Sequence, residues 1–364
     1  MGTWILRRIL WMFPTLWVIS LISFGIIQLP PGDYVTSHLE AMQAAGENVK
    51  PGDIERLRRL YNLDDPFHIK YLKWSNDLLP LGFVRSPEDG AYFWHENPDK
   101  TQTFRWQWPH FKWPNMGWSL EHERPVGQLI TERLLLTVAL SILTLLFTWA
   151  LAIPIGIYSA VRQYSVGDYL FTFLGFLGLA TPSFLLALVL MYVAQEAWGM
   201  DAGGLFSPEF QTAAWSWAKV SDLMAHIWVP MIVLGLGGTA GLIRILRANL
   251  LDELRKQYVI TARAKGLPRV RLLMKYPVRV AINPIISTIG WLLPGIVSGS
   301  VIVAVVMNLP TVGPLLLTSL LSQDMYMAGS MVMLMAALTV VGTLISDILL
   351  VIVDPRIRYE RKQN

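Results

Sequence analysis

The chain has 364 residues, 53% apolar and only 15% charged, a balance that excludes an ordinary soluble domain. Its excess charge of +4 comes from Lys and Arg clustered beside apolar runs, where membrane orientation rather than nucleic acid accounts for it. Cysteine is absent, which removes disulfides, thiolate metal sites and thiol nucleophiles, and no GxxxxGK[ST] loop occurs, so any ATP that drives this protein is held by another chain.

Residues 1–29 open with Arg7 and Arg8 and continue apolar from Ile9 to Leu29, about the length that spans hydrocarbon. The run is too long for a signal-peptide core and no small-residue cleavage site follows, so it is expected to be a first transmembrane helix with its N-terminus in the cytoplasm. Residues 30–128 are polar, with both charge signs interspersed, and form an extracytoplasmic lobe. Two amphipathic helices are legible there. Pro51-Gly52-Asp53 starts one, with Ile54, Leu57 and Leu60 on a face; Asp65-Pro66 starts the next, with Phe67, Tyr71, Trp74 and Leu78 at helical spacing. From about 82 to 116 the composition turns aromatic, with Trp94, Trp106, Trp108 and Trp113 among Tyr92, Phe93, Phe104 and Phe111. Those rings either close a small core or sit at the headgroup level, or they form a platform for substrate or a binding protein. Glu121-His122-Glu123 is the densest set of metal-ligand residue types, but adjacent residues rarely point at one ion and no spaced partner accompanies them. It is read as a solvated turn. No metal site and no catalytic constellation is found.

Leu134–Val161 carries no charge and reads as the second span, with Pro154 inside it. After a short turn at Arg162–Asp168, Tyr169–Gln195 reads as the third span, interrupted at Ala180-Thr181-Pro182-Ser183. Pro182 is expected to kink it, and a carbonyl freed there could also face a pathway. Glu196–Ala225 is an outer loop. His226–Ile243 is the fourth span, where Gly237 and Gly241 have the spacing of close helix packing.

Asp252–Pro284 is the most basic passage, with Arg255, Lys256, Arg263, Lys265, Arg269, Arg271, Lys275 and Arg279 against Asp252 and Glu253. The two acids suit a helix N-terminus, and Gly266-Leu267-Pro268 reads as its stop, so a short helix ending at Lys265 is expected. A second helical piece should follow, bounded by Pro277 and Pro284. Small residues (Thr261, Ala262, Ala264, Gly266) crowd the last turn, which lets another protein's backbone come close. Tyr258-Val259-Ile260-Thr261-Ala262-Arg263-Ala264-Lys265-Gly266-Leu267, with Pro284 following, resembles the coupling loop of ABC-transporter permeases, in particular the peptide/oligopeptide/nickel family. The opening Trp4–Asp33, the run Gly117–Leu134 and the ending Asp354–Tyr359 resemble the same family. The likeness lapses between about 82 and 116, which therefore reads as an insertion.

Beyond the loop, Ile285–Met307 reads as the fifth span, Asn308–Gln323 as an outer turn with a short interfacial helix, and Ala328–Val353 as the sixth span. Asp347 lies about 10 Å inside that last end at a 1.5 Å rise per residue. An intramembrane carboxylate is a pathway candidate, although pairing with a neighbouring span is the expected use. Lys and Arg crowd the segments placed inside, while the two short outer loops hold only Lys219, so both termini are expected in the cytoplasm.

The resemblance implies an all-α integral membrane protein with six transmembrane helices of the type I ABC importer permease kind. Its parts would be the first helix (1–29), the extracytoplasmic lobe (30–128), a five-helix core (129–353) with its cytoplasmic coupling loop (244–282), and a cytoplasmic tail (354–364). It implies a bacterial or archaeal inner membrane and a subunit forming half of a path for peptides or similar solutes. The implied partners are a second homologous permease, two ATPase subunits, an extracytoplasmic solute-binding protein and membrane lipid, with ATP and Mg held by the ATPases and no cofactor in this chain. Tyr258, Thr261, Ala262, Arg263, Ala264, Lys265, Gly266 and Leu267 would meet the ATPase. Oligosaccharides or opines are the alternative cargo. An ion-coupled secondary transporter is the competing class, and it should show paired charges or unwound helices at mid-membrane.

Overall fold

The computed structural model describes residues 2–28, 65–84, 93–96, 102–104, 106–290, 295 and 301–353. The expected helix at Pro51–Leu60 and the tail at Asp354–Tyr359 lie outside them, as does most of the middle of the fifth span. Among the described residues, four helices are long and apolar enough to cross a membrane, or five if one sharply bent pair counts as a single span.

Helix α1 (Gly2–Ile27) is the first of them. Helix α2 (Phe67–Leu78) forms where the Asp65-Pro66 start and the aromatic spacing placed it. Its Tyr71 and Trp74 are buried with Phe24 of α1, whose ring lies 5.5 Å from Tyr71 and 5.3 Å from Trp74. Three antiparallel pairs follow: β1 (Leu81–Gly82) with β4 (His110–Phe111), β2 (Trp94–Glu96) with β3 (Gln102–Phe104), and β5 (Trp118–Ser119) with β6 (Arg124–Pro125).

Helix α3 (Val126–Val161) begins at Val126, before the charge-free stretch from Leu134, because Val126, Leu129 and Ile130 find a buried cluster with Phe24, Trp74 and Met327. Helices α4 (Val166–Ala180) and α5 (Ser183–Trp198) form the bent pair, meeting at 104°. The expected simple kink at Pro182 is thus a full corner. Thr181 is the extended residue closing α4, and its Oγ1 donates to Leu177 O at 2.8 Å, while Pro182 opens α5. Gly199, at φ 63°, ends α5 in the left-handed region that glycine tolerates. Helix α6 (Trp217–His226) leads into α7 (Trp228–Leu254).

α7 packs parallel to α3, early residues against early and late against late. Val229 and Val233 share a cluster with Leu136 and Leu140, and Leu246 and Leu250 share another with Ala152 and Ala160. The close approaches correct the expectation for Gly237 and Gly241, which have nothing within 4 Å of a would-be Cβ. Gly235 is the tight position instead: a Cβ there would meet Phe147 at 2.7 Å, and its carbonyl accepts from Thr239 at 2.7 Å and from Thr148 at 3.3 Å.

Helices α8 (Gln257–Ala264), α9 (Arg269–Lys275), α10 (Pro277–Ala281) and α11 (Asn283–Ser287) descend from α7 in short steps. Two corrections follow. Asp252 and Glu253 lie in the last turn of α7, because the apolar face carried by Leu246 and Leu250 continues the span past Ile243. Pro277 and Pro284 each open a helix at N1 or N2, where the missing N–H costs nothing, instead of bounding one piece. Helices α12 (Val301–Val306), α13 (Val312–Leu321) and α14 (Met325–Val353) complete the order. Asp324, fully buried, caps α14 and accepts from Met327 N at 3.1 Å. It also binds the β5–β6 turn through Ser119 Oγ at 2.6 Å and Leu120 N at 2.9 Å. The Asp324 carboxylate thus holds the turn that leads into Glu121-His122-Glu123, and among the described residues no group of three or more His, Asp or Glu is placed to hold a metal ion.

Candidate functional site

Helix α8 has two faces of different chemistry. Val259 and Ala262, three residues apart, are buried against Leu272 of α9, with Tyr258, Leu267 and Tyr276 packed around them. Ile260, Thr261, Arg263, Ala264, Lys265 and Gly266 face outward. Lys265 N donates to Thr261 O at 3.1 Å and Gly266 N to Arg263 O at 3.0 Å, closing the last turn. Gly266 has φ +73° with open space around its Cα, so it stops the helix and keeps the end bare. Exposed Val270 and Met274 on α9 extend the apolar part of this surface, and Arg255, Lys256, Lys265, Arg269, Arg271 and Lys275 ring it with positive charge. Glu253, though not the start of α8, reaches it by accepting from the Tyr258 hydroxyl.

Of the eight residues placed at the coupling surface, five stand on the outer face: Thr261, Arg263, Ala264, Lys265 and Gly266. Ala262 is buried, and Tyr258 and Leu267 are half-buried. These three form the pedestal, and Ile260 and Met274 join the surface without having been singled out. The surface is tied to the spans at two points. Val278, Ala281 and Ile285 belong to the same buried cluster as Leu246 and Ala152. Arg279 Nε donates to Val353 O of α14 at 2.5 Å.

The other candidates sit apart from this surface. Pro182 is exposed at the α4–α5 corner. Asp347 pairs with Arg8 of α1, Oδ2 lying 3.0 Å from Nη1 and Oδ1 accepting from Nη2 at 3.3 Å. That is the cross-span pairing expected for a membrane carboxylate. Trp106, Trp108 and Trp113 are all exposed, Trp113 at 86%. Phe93 does stack on Trp106 at 5.8 Å and meets Phe83 edge-on at 4.9 Å, so a few rings of this stretch pack on one another. The side chain of Trp94 lies outside the described residues.

One polar tie went unrecognised in the sequence. Asp168, 2% exposed, accepts from Arg247 Nε at 3.0 Å and Nη2 at 2.9 Å, and from Tyr164 N at 3.0 Å. This bidentate pair fastens the start of α4 to α7. Its place inside the stretch read as a cytoplasmic loop (244–282) hid Arg247; its position one turn beyond Ile243, on a continuing helix, was the available signal. At the opposite end of the α3–α7 pair lies a cavity of about 620 Å³, lined by Glu132, Arg133, Phe206, Gln211, Trp215, Lys219, Ala304 and Asn308.

Residues 152–359 match the family described as binding-protein-dependent transport system inner membrane component. The oligopeptide transport system permease protein AppB of Bacillus subtilis is 33% identical over 362 residues, covering 99% of this chain and 100% of the relative. The inner membrane ABC transporter permease protein YejB of Escherichia coli O157:H7 is 29% identical, over 99% of this chain and 100% of its own length. The oligopeptide transport system permease protein OppB of Haemophilus influenzae is 27% identical, over 98% and 99% respectively. This chain belongs to the family of binding-protein-dependent transport system inner membrane components, as a membrane-spanning permease component of the ABC peptide-importer kind.

Proposed function

We propose that the chain is one permease subunit of an ATP-driven peptide importer and forms half of a translocation path with a second, homologous permease. Two ATPase subunits dock from the cytoplasm against α8 and carry all ATP hydrolysis, and a solute-binding protein delivers cargo from outside. The observation that carries this reading is the outer face of α8. It is a bare, small-residue helix end ringed by cations, standing on its own buried pedestal and braced against α7 and α14. A surface shaped like this fits a groove on another protein. Movement of that groove as ATP binds would shift α8–α11 as a block and rock the spans between inward and outward exposure. Six spans, the fifth running through Ile285–Met307, and both termini inside complete the arrangement. Asp347 serves it as the anchor of α1 on α14 rather than as a proton relay.

The test is transport by the reconstituted complex carrying Gly266→Trp or Ala264→Arg. Uptake is expected to fall at least tenfold, and ATPase subunits to co-purify less, while the amount of membrane-inserted chain stays unchanged. The chain purified alone should not hydrolyse ATP. Wild-type uptake by both variants would remove α8 from the coupling role.

A further inference from the structure

At the end of the α3–α7 pair opposite α8, a cavity brings together two cations, Lys219 and Arg133, that no carboxylate pairs with among the described residues. Its volume, about 620 Å³, falls within the range of small-ligand pockets. Lys219 is 6% exposed, and its Nζ donates to Ala213 O at 2.6 Å, reaches Gln211 O at 3.5 Å, and lies 4.8 Å from the Phe206 ring and 5.4 Å from that of Trp215. Carbonyls and ring faces hold the ammonium in place, but among the described residues no carboxylate pairs with it. Across the cavity Arg133 is half-buried and makes no hydrogen bond or ion pair among the described residues. The one acid in the wall, Glu132, is engaged by Arg124. Two partly desolvated cations thus face one space whose single carboxylate, Glu132, acts on Arg133 only at a distance while it pairs with Arg124, a balance that an entering anion would improve. The remaining wall, Trp215, Phe206, Gln211, Asn308 and Pro310, offers aromatic faces and amides, the groups that suit a peptide backbone and its side chains.

We propose that this cavity receives the terminal carboxylate of the transported peptide, with Arg133 as the group that pairs with it and Lys219 as the fixed positive field behind. The proposal rests on the peptide-importer reading above. Arg133 stands about two turns into α3, roughly 10 Å from its start at a 1.5 Å rise per residue, directly before the charge-free stretch that opens at Leu134, so a carboxylate held there sits at the mouth of the span region.

The test is a cycle of one variant and one ligand change on the complete transporter in proteoliposomes. The probe is a radiolabelled alanine pentapeptide, as the free acid and as its C-terminal amide. Any preference of the binding protein for one form is common to both permeases and cancels. Wild type is expected to import the acid about tenfold faster than the amide after that correction, the worth of one partly exposed charge-assisted pair. Arg133→Gln should bring the acid down to the rate of the amide without changing the amide, and Arg133→Lys should keep part of the preference. Equal loss for both forms would mean that Arg133 is structural or meets an acid of a partner chain, and it overturns the proposal, as does no loss for either. If wild type imports neither form, the peptide-importer reading fails first, and this proposal with it. Should Arg133→Gln not assemble, Val305→Cys in the otherwise cysteine-free chain reports directly from the cavity wall. Its thiol labelling should slow in the presence of the acid and not of the amide, and equal rates would refute the site.

Discussion

At the scale of single residues, the Asp168–Arg247 pair shows how a polar contact inside an apolar bundle acts as a fastener. The carboxylate is almost fully buried, and three donors satisfy it, two of them from one guanidinium. Removing the guanidinium would leave a buried charge with a single backbone donor, a change that costs about 3–5 kcal/mol. Arg247→Met is therefore expected to lower the midpoint of thermal unfolding in detergent, whereas Arg247→Met combined with Asp168→Asn recovers part of the loss. A double variant no more stable than the single one would mean that the pair is not coupled. Arg8 and Asp347 are related to each other in the same way, but Arg8 is 41% exposed and the pair is worth correspondingly less.

At the scale of elements, legibility in the sequence followed the strength of the local signal. The start and spacing of α2 were readable because Pro66 and four aromatic or aliphatic residues at helical period leave few alternatives. The end of α8 was readable for a similar reason: Gly266 alone supplies the required positive φ. Its start was not. Acidic residues mark a helix N-terminus only when no stronger burial claims them, and here the Leu246–Leu250 face carried α7 onward through Asp252 and Glu253. The small-residue spacing at Gly237 and Gly241 also misled, because which glycine faces α3 is set by the rotation of α7, and rotation is a tertiary property. It turned Gly235 toward Phe147. The orientation of α8 relative to the bilayer makes a separate expectation. Lys265→Cys, introduced into a chain with no cysteine of its own, should react with an impermeant thiol reagent only in inverted vesicles. Labelling from outside the intact cell would reverse the topology.

At the scale of the whole molecule, three buried clusters are strung along α3: one near Val126 with α2 and α14, one near Leu136 with α5 and α7, and one near Ala152 with α7, α10 and α11. Among the described residues, none between 82 and 115 belongs to these three clusters. Met116, at the edge of this stretch, packs on the first of them, and Ser330 Oγ donates to its carbonyl at 3.2 Å. Replacing residues 83–113 by a short Gly/Ser bridge is therefore expected to leave membrane insertion and assembly with ATPases intact while slowing uptake or weakening capture of the binding protein. Loss of the assembled complex would make the stretch structural. The exposure of Trp106, Trp108 and Trp113, the first two of which meet edge-on at 5.9 Å, is what motivates the expectation, since exposed aromatic surface is unfavourable in water.

The separate small core beneath α8 has a mechanical consequence. Val259, Ala262 and Leu272 give the coupling element stiffness of its own, independent of the packing among the spans. Close-packed interiors are hardly compressible, so a push on Ala264 is not absorbed where it is applied. On the coupling role proposed above, it would pass as a rigid displacement through Val278 and Ala281 to the bundle, and through the Arg279 bond to the far end of α14. In that role the element would be a handle on two shafts, and the stroke delivered to the spans would be set by how far the handle travels rather than by how hard it is gripped.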